Sequence, residues 1–189
     1  MAMRQVEIDH KVSELQKAAN KLQVPPPREI VDIGSEFGAL LTEAIAGQAH
    51  RVFEDLSPRQ FEEFIAEIWS RFGFSVELTK STRDGGYDVV AVSDAPARLK
   101  FLIECKRWKK ESKVSVSIVR GLYGVKLRTG SSKAIIATTS SFTKPASLFL
   151  ESHPYELEGR DYDGLIEWCR AAQQPTGNSQ CDIWTPRWD

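Results

Sequence analysis

Apolar residues recur along this chain with two periods, and each period predicts a different element. Phe61, Phe64, Ile65, Ile68, Trp69 and Phe72 fall at spacings of three and four, the continuous stripe of an amphipathic core helix. Ser57-Pro58-Arg59-Gln60 supplies its start, with an N-cap serine, a proline at the first position and a glutamine at the third; Gly73 marks its end. Phe74 to Leu78 alternates, and the apolar runs Val89-Val90-Ala91-Val92 and Phe101-Leu102-Ile103 are separated by a turn at Asp94-Ala95-Pro96, so three strands follow. A helix runs from about Ser115 or Ser117 to Gly130, then a buried parallel-type strand at Ala134-Ile135-Ile136-Ala137-Thr138. Thr143 and Pro145 begin another helix, Glu156 to Glu158 form a short strand, and Asp161 to Arg170 a last helix with Leu165, Trp168 and Cys169 inward. Helix, three strands, helix, strand, helix, strand, helix is the order of an α/β sandwich with a mixed sheet.

The two ends read differently. Ile8, Val12, Leu15, Ala19 and Leu22 make an amphipathic helix that Pro25-Pro26-Pro27 ends. Phe37, Leu40, Leu41, Ala44 and Ile45 predict a second helix from Ser35, its cap, to about Gln48. Residues 1–50 are therefore expected to be a helical appendage for packing or dimerisation, 51–173 the main domain, and 174–189 an irregular tail anchored by Trp184 and Trp188. Gly121 and Gly124 sit inside a helical pattern at roughly 1 kcal/mol each, which predicts that another backbone, of the protein or of a nucleic-acid strand, comes close to them.

Composition narrows the class. With 41% hydrophobic and 27% charged residues, the 189-residue chain suits one well-buried domain plus an appendage. No apolar run approaches the roughly 18 residues of a membrane helix, so a cytoplasmic protein without membrane contact is expected. The three cysteines lack a C-x-x-C pair and the three histidines are scattered, which argues against a disulfide framework and a zinc site. Cys105 reads as a small buried strand residue.

A formal charge of −1 hides an asymmetry: between Arg98 and Lys144 stand twelve Lys or Arg against two acids. A basic block of that kind is the footprint of phosphate-backbone binding, with Arg107, Lys109, Lys110, Lys113 and Arg120 as the expected contacts; a solvated loop is the alternative. Trp108 either packs on the core or stacks on a sugar or base.

The same segment holds the candidate chemistry. Asp84-Gly85-Gly86-Tyr87-Asp88 opens one strand of a hairpin and Glu104-Cys105-Lys106 closes the other. The glycines permit the positive φ angles of a tight turn, and the period of two puts Glu104 and Lys106 on one face, Ile103 and Cys105 on the other. Paired strands would bring Asp88 and Glu104 together. Two carboxylates beside a lysine suit phosphodiester hydrolysis: the oxygens hold a hard cation such as Mg²⁺, which lowers the pKa of a water and neutralises phosphate charge, while the lysine orients or deprotonates that water. An exposed ion pair is the bland alternative. Glu62 lies on the margin of its helix stripe, whereas Glu63 is expected to point away. Thr139, Ser140 and Thr143, at the carboxyl end of a strand, either bond a phosphate or cap the next helix.

The pattern Asp-Gly-Gly-Tyr-Asp, an apolar strand ending Glu-Cys-Lys, then Thr138-Thr139-Ser140-Ser141-Phe142-Thr143, resembles the catalytic domain of Mrr-type restriction endonucleases, in the PD-(D/E)xK nuclease superfamily, over about Leu56 to Cys169. Many members carry Gln in place of Glu104, and no proline precedes Asp88 here. The resemblance implies a three-layer restriction-endonuclease-like fold, a central mixed sheet flanked by helices. It implies that Asp88, Glu104 and Lys106 are catalytic, that Glu62 joins them, and that Asp88, Glu104 and the Cys105 carbonyl hold Mg²⁺, for which Mn²⁺ substitutes. The expected activity is endonucleolytic cleavage of DNA in restriction or phage defence, including modified DNA. The alternatives are a catalytically silent nucleic-acid-binding or assembly module and a nuclease for RNA or branched DNA. A homodimer or a partner protein would supply specificity.

Overall fold

The computed structural model describes residues 34–79, 85–94 and 96–173. The predicted first helix, the triple proline and the C-terminal tail with its two tryptophans lie outside the described residues, as does Asp84.

Helix α1 (Gly34–Glu43) continues through a π-helical turn, Ala44–Gln48, into α2 (Ala49–Asp55). One helix ending near Gln48 was expected. Gly47, at φ 93°, bends the chain instead, and α2 carries it back over the core. Ser35 lies within the helix rather than before it. Phe37, Leu41, Ala44, Ala49, Val52 and Phe53 share one apolar cluster with Phe61, Phe64 and Ile65 of α3 (Pro58–Arg71). The start of α3 is the predicted one. The Ser57 hydroxyl accepts the Gln60 N–H at 3.2 Å and the Gln60 side chain accepts the Ser57 N–H at 2.9 Å, a reciprocal capping box with Pro58 in the first turn.

Next come β1 (Ser75–Leu78), β2 (Val89–Ser93), β3 (Leu99–Lys106), the two-residue β4 (Lys113–Val114), α4 (Val116–Thr129), β5 (Lys133–Thr138), the two-residue β6 (Ser141–Phe142), α5 (Lys144–Glu151), β7 (Leu157–Arg160) and α6 (Tyr162–Gln173). The main sheet has the order β1-β2-β3-β5-β7, antiparallel from β1 to β3 and parallel from β3 to β7. It is the expected mixed sheet. β4 and β6 form an unanticipated parallel pair, too short for any periodicity to reveal.

Alternation divides the side chains between two layers. Val89, Ala91, Phe101, Ile103, Ile135 and Ala137 pack under α1, α2, α3 and α6; Leu102, Ala134, Ile136 and Leu157 pack under α4 and α5. Gly121 and Gly124 are exposed on the outer face of α4, and beyond their own helix backbone and chain neighbours no described atom lies within 4 Å of where a Cβ would stand, so no other backbone of the described residues approaches them. The inward positions of α4 are Val119, Leu122 and Lys126. No helix among the described residues is long and apolar enough to cross a membrane.

Candidate active site at the end of the β2–β3 hairpin

In the antiparallel register the last pair is Val89 with Ile103. One step beyond it, Asp88 stands opposite Glu104. The site exists because β3 outruns β2 there: its last three residues have β5 on one side and no strand on the other. Asp88 fills that edge. Its N–H donates to the Ile103 carbonyl at 2.8 Å, and its Oδ2 accepts the Cys105 N–H at 2.7 Å.

Glu104 and Lys106 leave β3 on the face of α4, following Leu102, and Lys106 Nζ lies 2.7 Å from Glu104 Oε1. Cys105 goes the other way, against the layer of α3. Glu62 stands on α3, and the charge of Asp88 is felt by both glutamates. Burial raises the Glu104 carboxyl above its ordinary value, Lys106 opposes that by hydrogen bond and charge, and Asp88 adds to the rise. Glu62 is raised in the same way, with Arg59 as the opposing cation. Burial pushes the Cys105 thiol well up, and Asp88, Glu62 and Glu104 each push it further. Three acids thus act on the Cys105 thiol, and of them Asp88 bonds the Cys105 backbone.

Glu63 does not point away into solvent. Its side chain is 16% exposed against 20% for Glu62, because Arg59 draws both toward itself at 3.5 and 2.8 Å. Helical periodicity alone misplaced it, since it places a Cβ and not the end of a long side chain. The loop before Asp88 depends on Gly86, at φ 76°, where a Cβ would stand 3.0 Å from Val125 Cγ2 of α4.

The basic segment divides. Lys109, Lys110, Lys113 and Arg120 are exposed, with the Arg120 guanidinium 5.2 Å from the Phe149 ring centroid. Arg107 turns inward: its Nη1 donates to the Glu54 carbonyl at 3.2 Å and its Nε is buried without a partner. Lys126 and Lys133 are buried in ion pairs with Glu156 and Glu158, at 2.6 and 2.7 Å. Trp108 packs against the α4 layer.

The hydroxyls at the end of β5 serve the fold. Thr139 Oγ1 accepts the Trp108 N–H at 2.8 Å and donates to the Trp108 carbonyl at 2.7 Å. Ser140 is buried beside Thr138, and Thr143 caps α5 by accepting from the Ala146 N–H. Of the two readings for these residues, the capping and bracing bonds are the ones seen within the chain. Sequence reasoning missed Arg59 and Thr79; the first was detectable, since it stands three and four residues before two glutamates on a helix.

Residues 53–169 match the restriction endonuclease family Mrr_cat. The chain belongs to this family of Mrr-type restriction endonuclease domains. This Mrr-type chain is 25% identical over 166 residues to the uncharacterized protein y4cE of Sinorhizobium fredii, covering 84% of this chain and 41% of that protein. It is 26% identical over 117 residues to the type IV methyl-directed restriction enzyme EcoKMrr of Escherichia coli, covering 59% and 38%. It spans about two fifths of the length of these curated relatives. The DNA modification-dependent restriction endonuclease AspBHI has a similar fold, with a TM-score of 0.51 at 22% identity over 80% of this chain and 39% of that one.

Proposed function

We propose that this Mrr-type domain is a Mg²⁺-dependent DNA endonuclease, with Mn²⁺ able to substitute, that acts in restriction or phage defence. The observation that carries the proposal is the placement of Asp88, the residue before β2, opposite Glu104 of β3, with Lys106 Nζ 2.7 Å from Glu104 Oε1. The donor set suits a hard cation: carboxylate oxygens of Asp88 and Glu104, and the carbonyl of Cys105, which faces the same open edge as its N–H. The Asp88 charge adds to the cost of ionising Glu104, and a divalent cation would offset it. When bound, it supplies charge neutralisation at the phosphate and a more acidic water. Lys106 then orients the attacking water and faces the phosphate, and Glu62 completes the water network from α3. Lys109, Lys110, Lys113 and Arg120 supply backbone contacts from the exposed part of the basic segment. Two relatives named for methyl-directed or modification-dependent restriction make modified DNA the first substrate to test.

Two observations favour a second reading, a DNA-binding or assembly module that does not cut. Glu104 is already engaged by Lys106, and no three His, Cys, Asp or Glu side chains among the described residues are grouped to hold a metal ion. Incubating the protein with methylated, unmethylated and phage-derived DNA, in Mg²⁺ or in EDTA, separates the two. Cutting in Mg²⁺ that EDTA stops supports the nuclease; a salt-sensitive gel shift with no cutting on any substrate selects the silent module.

A further inference from the structure

Arg59 joins two parts of the site. Its Nη1 lies 2.8 Å from Glu62 Oε2 and also donates to the Thr79 carbonyl at 3.0 Å, twenty residues away in sequence, while its Nε is 3.5 Å from Glu63 Oε1. Thr79 passes the contact on. Its N–H donates to the Asp88 carbonyl at 2.8 Å, and its hydroxyl reaches the carbonyls of Tyr87 and Asp88 at 3.0 and 3.2 Å. Asp88 is therefore held on one side by Thr79 and on the other by the backbone of Ile103 and Cys105.

We infer that Arg59 is a positioning residue of the active site: one guanidinium holds Glu62 on α3 and, through Thr79, fixes the backbone from which the Asp88 carboxylate projects. An Arg59 that only made surface pairs within its helix would contribute little, because its side chain is 41% exposed. The bond from α3 to the end of β1 is what such a pair lacks. The planar fork of arginine serves both acceptors at once, and a lysine ammonium on a flexible stem serves them less well. The inference rests on the reading of Asp88 and Glu62 as active-site acids, so its test needs a readout that does not depend on cutting.

The Cys105 amide provides one, because its acceptor is the Asp88 carboxylate. Amide hydrogen exchange on the full 189-residue chain, comparing wild type, Arg59→Gln, Arg59→Lys and Asp88→Ala, reads the placement of that carboxylate directly. Arg59→Gln should speed Cys105 exchange by about tenfold, leave the Leu102 and Ile136 amides unchanged, and fall short of the full loss in Asp88→Ala. Its kcat for Mg²⁺-dependent cutting should drop roughly tenfold or more with KM unchanged, and Arg59→Lys should lie between it and wild type. Unchanged Cys105 exchange in Arg59→Gln, or a raised KM at constant kcat, would overturn the inference; the second result would make Arg59 a DNA contact. If Arg59→Gln loosens Leu102 and Ile136 as well, Arg59→Lys decides by the same criterion: Cys105 faster alone supports the brace, any other pattern overturns it. A selective Cys105 effect in a protein that cuts nothing would leave the brace standing and remove the nuclease reading.

Discussion

The Asp88 carboxylate accepts the Cys105 N–H at 2.7 Å, across the point where β2 stops and β3 continues. That bond uses an amide which a longer β2 would have claimed for the ladder. The carboxylate takes the place of a strand, and the charge-assisted hydrogen bond sets its direction toward the end of the sheet. Glu104 and Lys106 are brought to the same end by the strand that donates the bond.

Asp88→Ala and Lys106→Ala should each reduce Mg²⁺-dependent cutting by at least about a hundredfold while leaving the fold in place. Plasmid nicking assays beside circular dichroism spectra check both halves. Undiminished cutting by both variants would refute the assignment of these residues.

Mg²⁺ should raise the melting temperature of the wild-type protein in a saturable way. Binding to the folded state alone adds about 2.7 kcal/mol at a hundred times Kd. Thermal denaturation with Mg²⁺ and with EDTA should show the increase in wild type and lose it in Asp88→Asn and Glu104→Gln. An equal shift in all three proteins would place the cation elsewhere.

The metal-free protein should lose stability relative to Glu104→Gln as pH rises from the ordinary carboxylate range through the raised value of Glu104. Burial is the main cause of that rise, so within this window the folded protein keeps a proton that the unfolded chain has released. Below the window both states hold the proton, and above it neither does. Urea unfolding in EDTA at several pH values reads the difference between the two proteins, which should change only across that window. Mg²⁺ affinity should rise with pH over the same range, because the carboxylate must ionise to bind.

Gly86→Ala should destabilise the protein by about 1–2 kcal/mol, since φ 76° disfavours any residue with a Cβ and that Cβ would stand 3.0 Å from Val125 Cγ2. Adding Val125→Ala should recover only the steric part. Denaturant unfolding of the single and double variants separates the two contributions; full recovery would show that backbone conformation plays no part.

Elements with local signals were legible in the sequence. The capping box at Ser57 and Gln60, the apolar stripe of α3 and the paired strands around Asp88 and Glu104 all stand where periodicity and turn residues put them. What could not be read there depends on partners distant in the chain. Lys126 and Lys133 count as part of a basic block until β7 and the turn before it bring Glu158 and Glu156 against them. Thr139 is a free hydroxyl until the backbone of Trp108 arrives. The fold back at Gly47 and the open space beside Gly121 and Gly124 were equally invisible, since a glycine marks conformational freedom without saying which way the chain turns or what lies next to it.

By itself the sequence determined the layered α/β architecture and the hairpin that carries two acids and a lysine, because short-range periodicity and turn chemistry are enough to choose elements and faces. Only the tertiary structure decided that β2 ends one residue short of Asp88, that the freed Cys105 amide captures that carboxylate, and that Arg59 spans from Glu62 to Thr79. Register and the reach of long side chains are properties of packed elements, and a one-dimensional pattern carries neither.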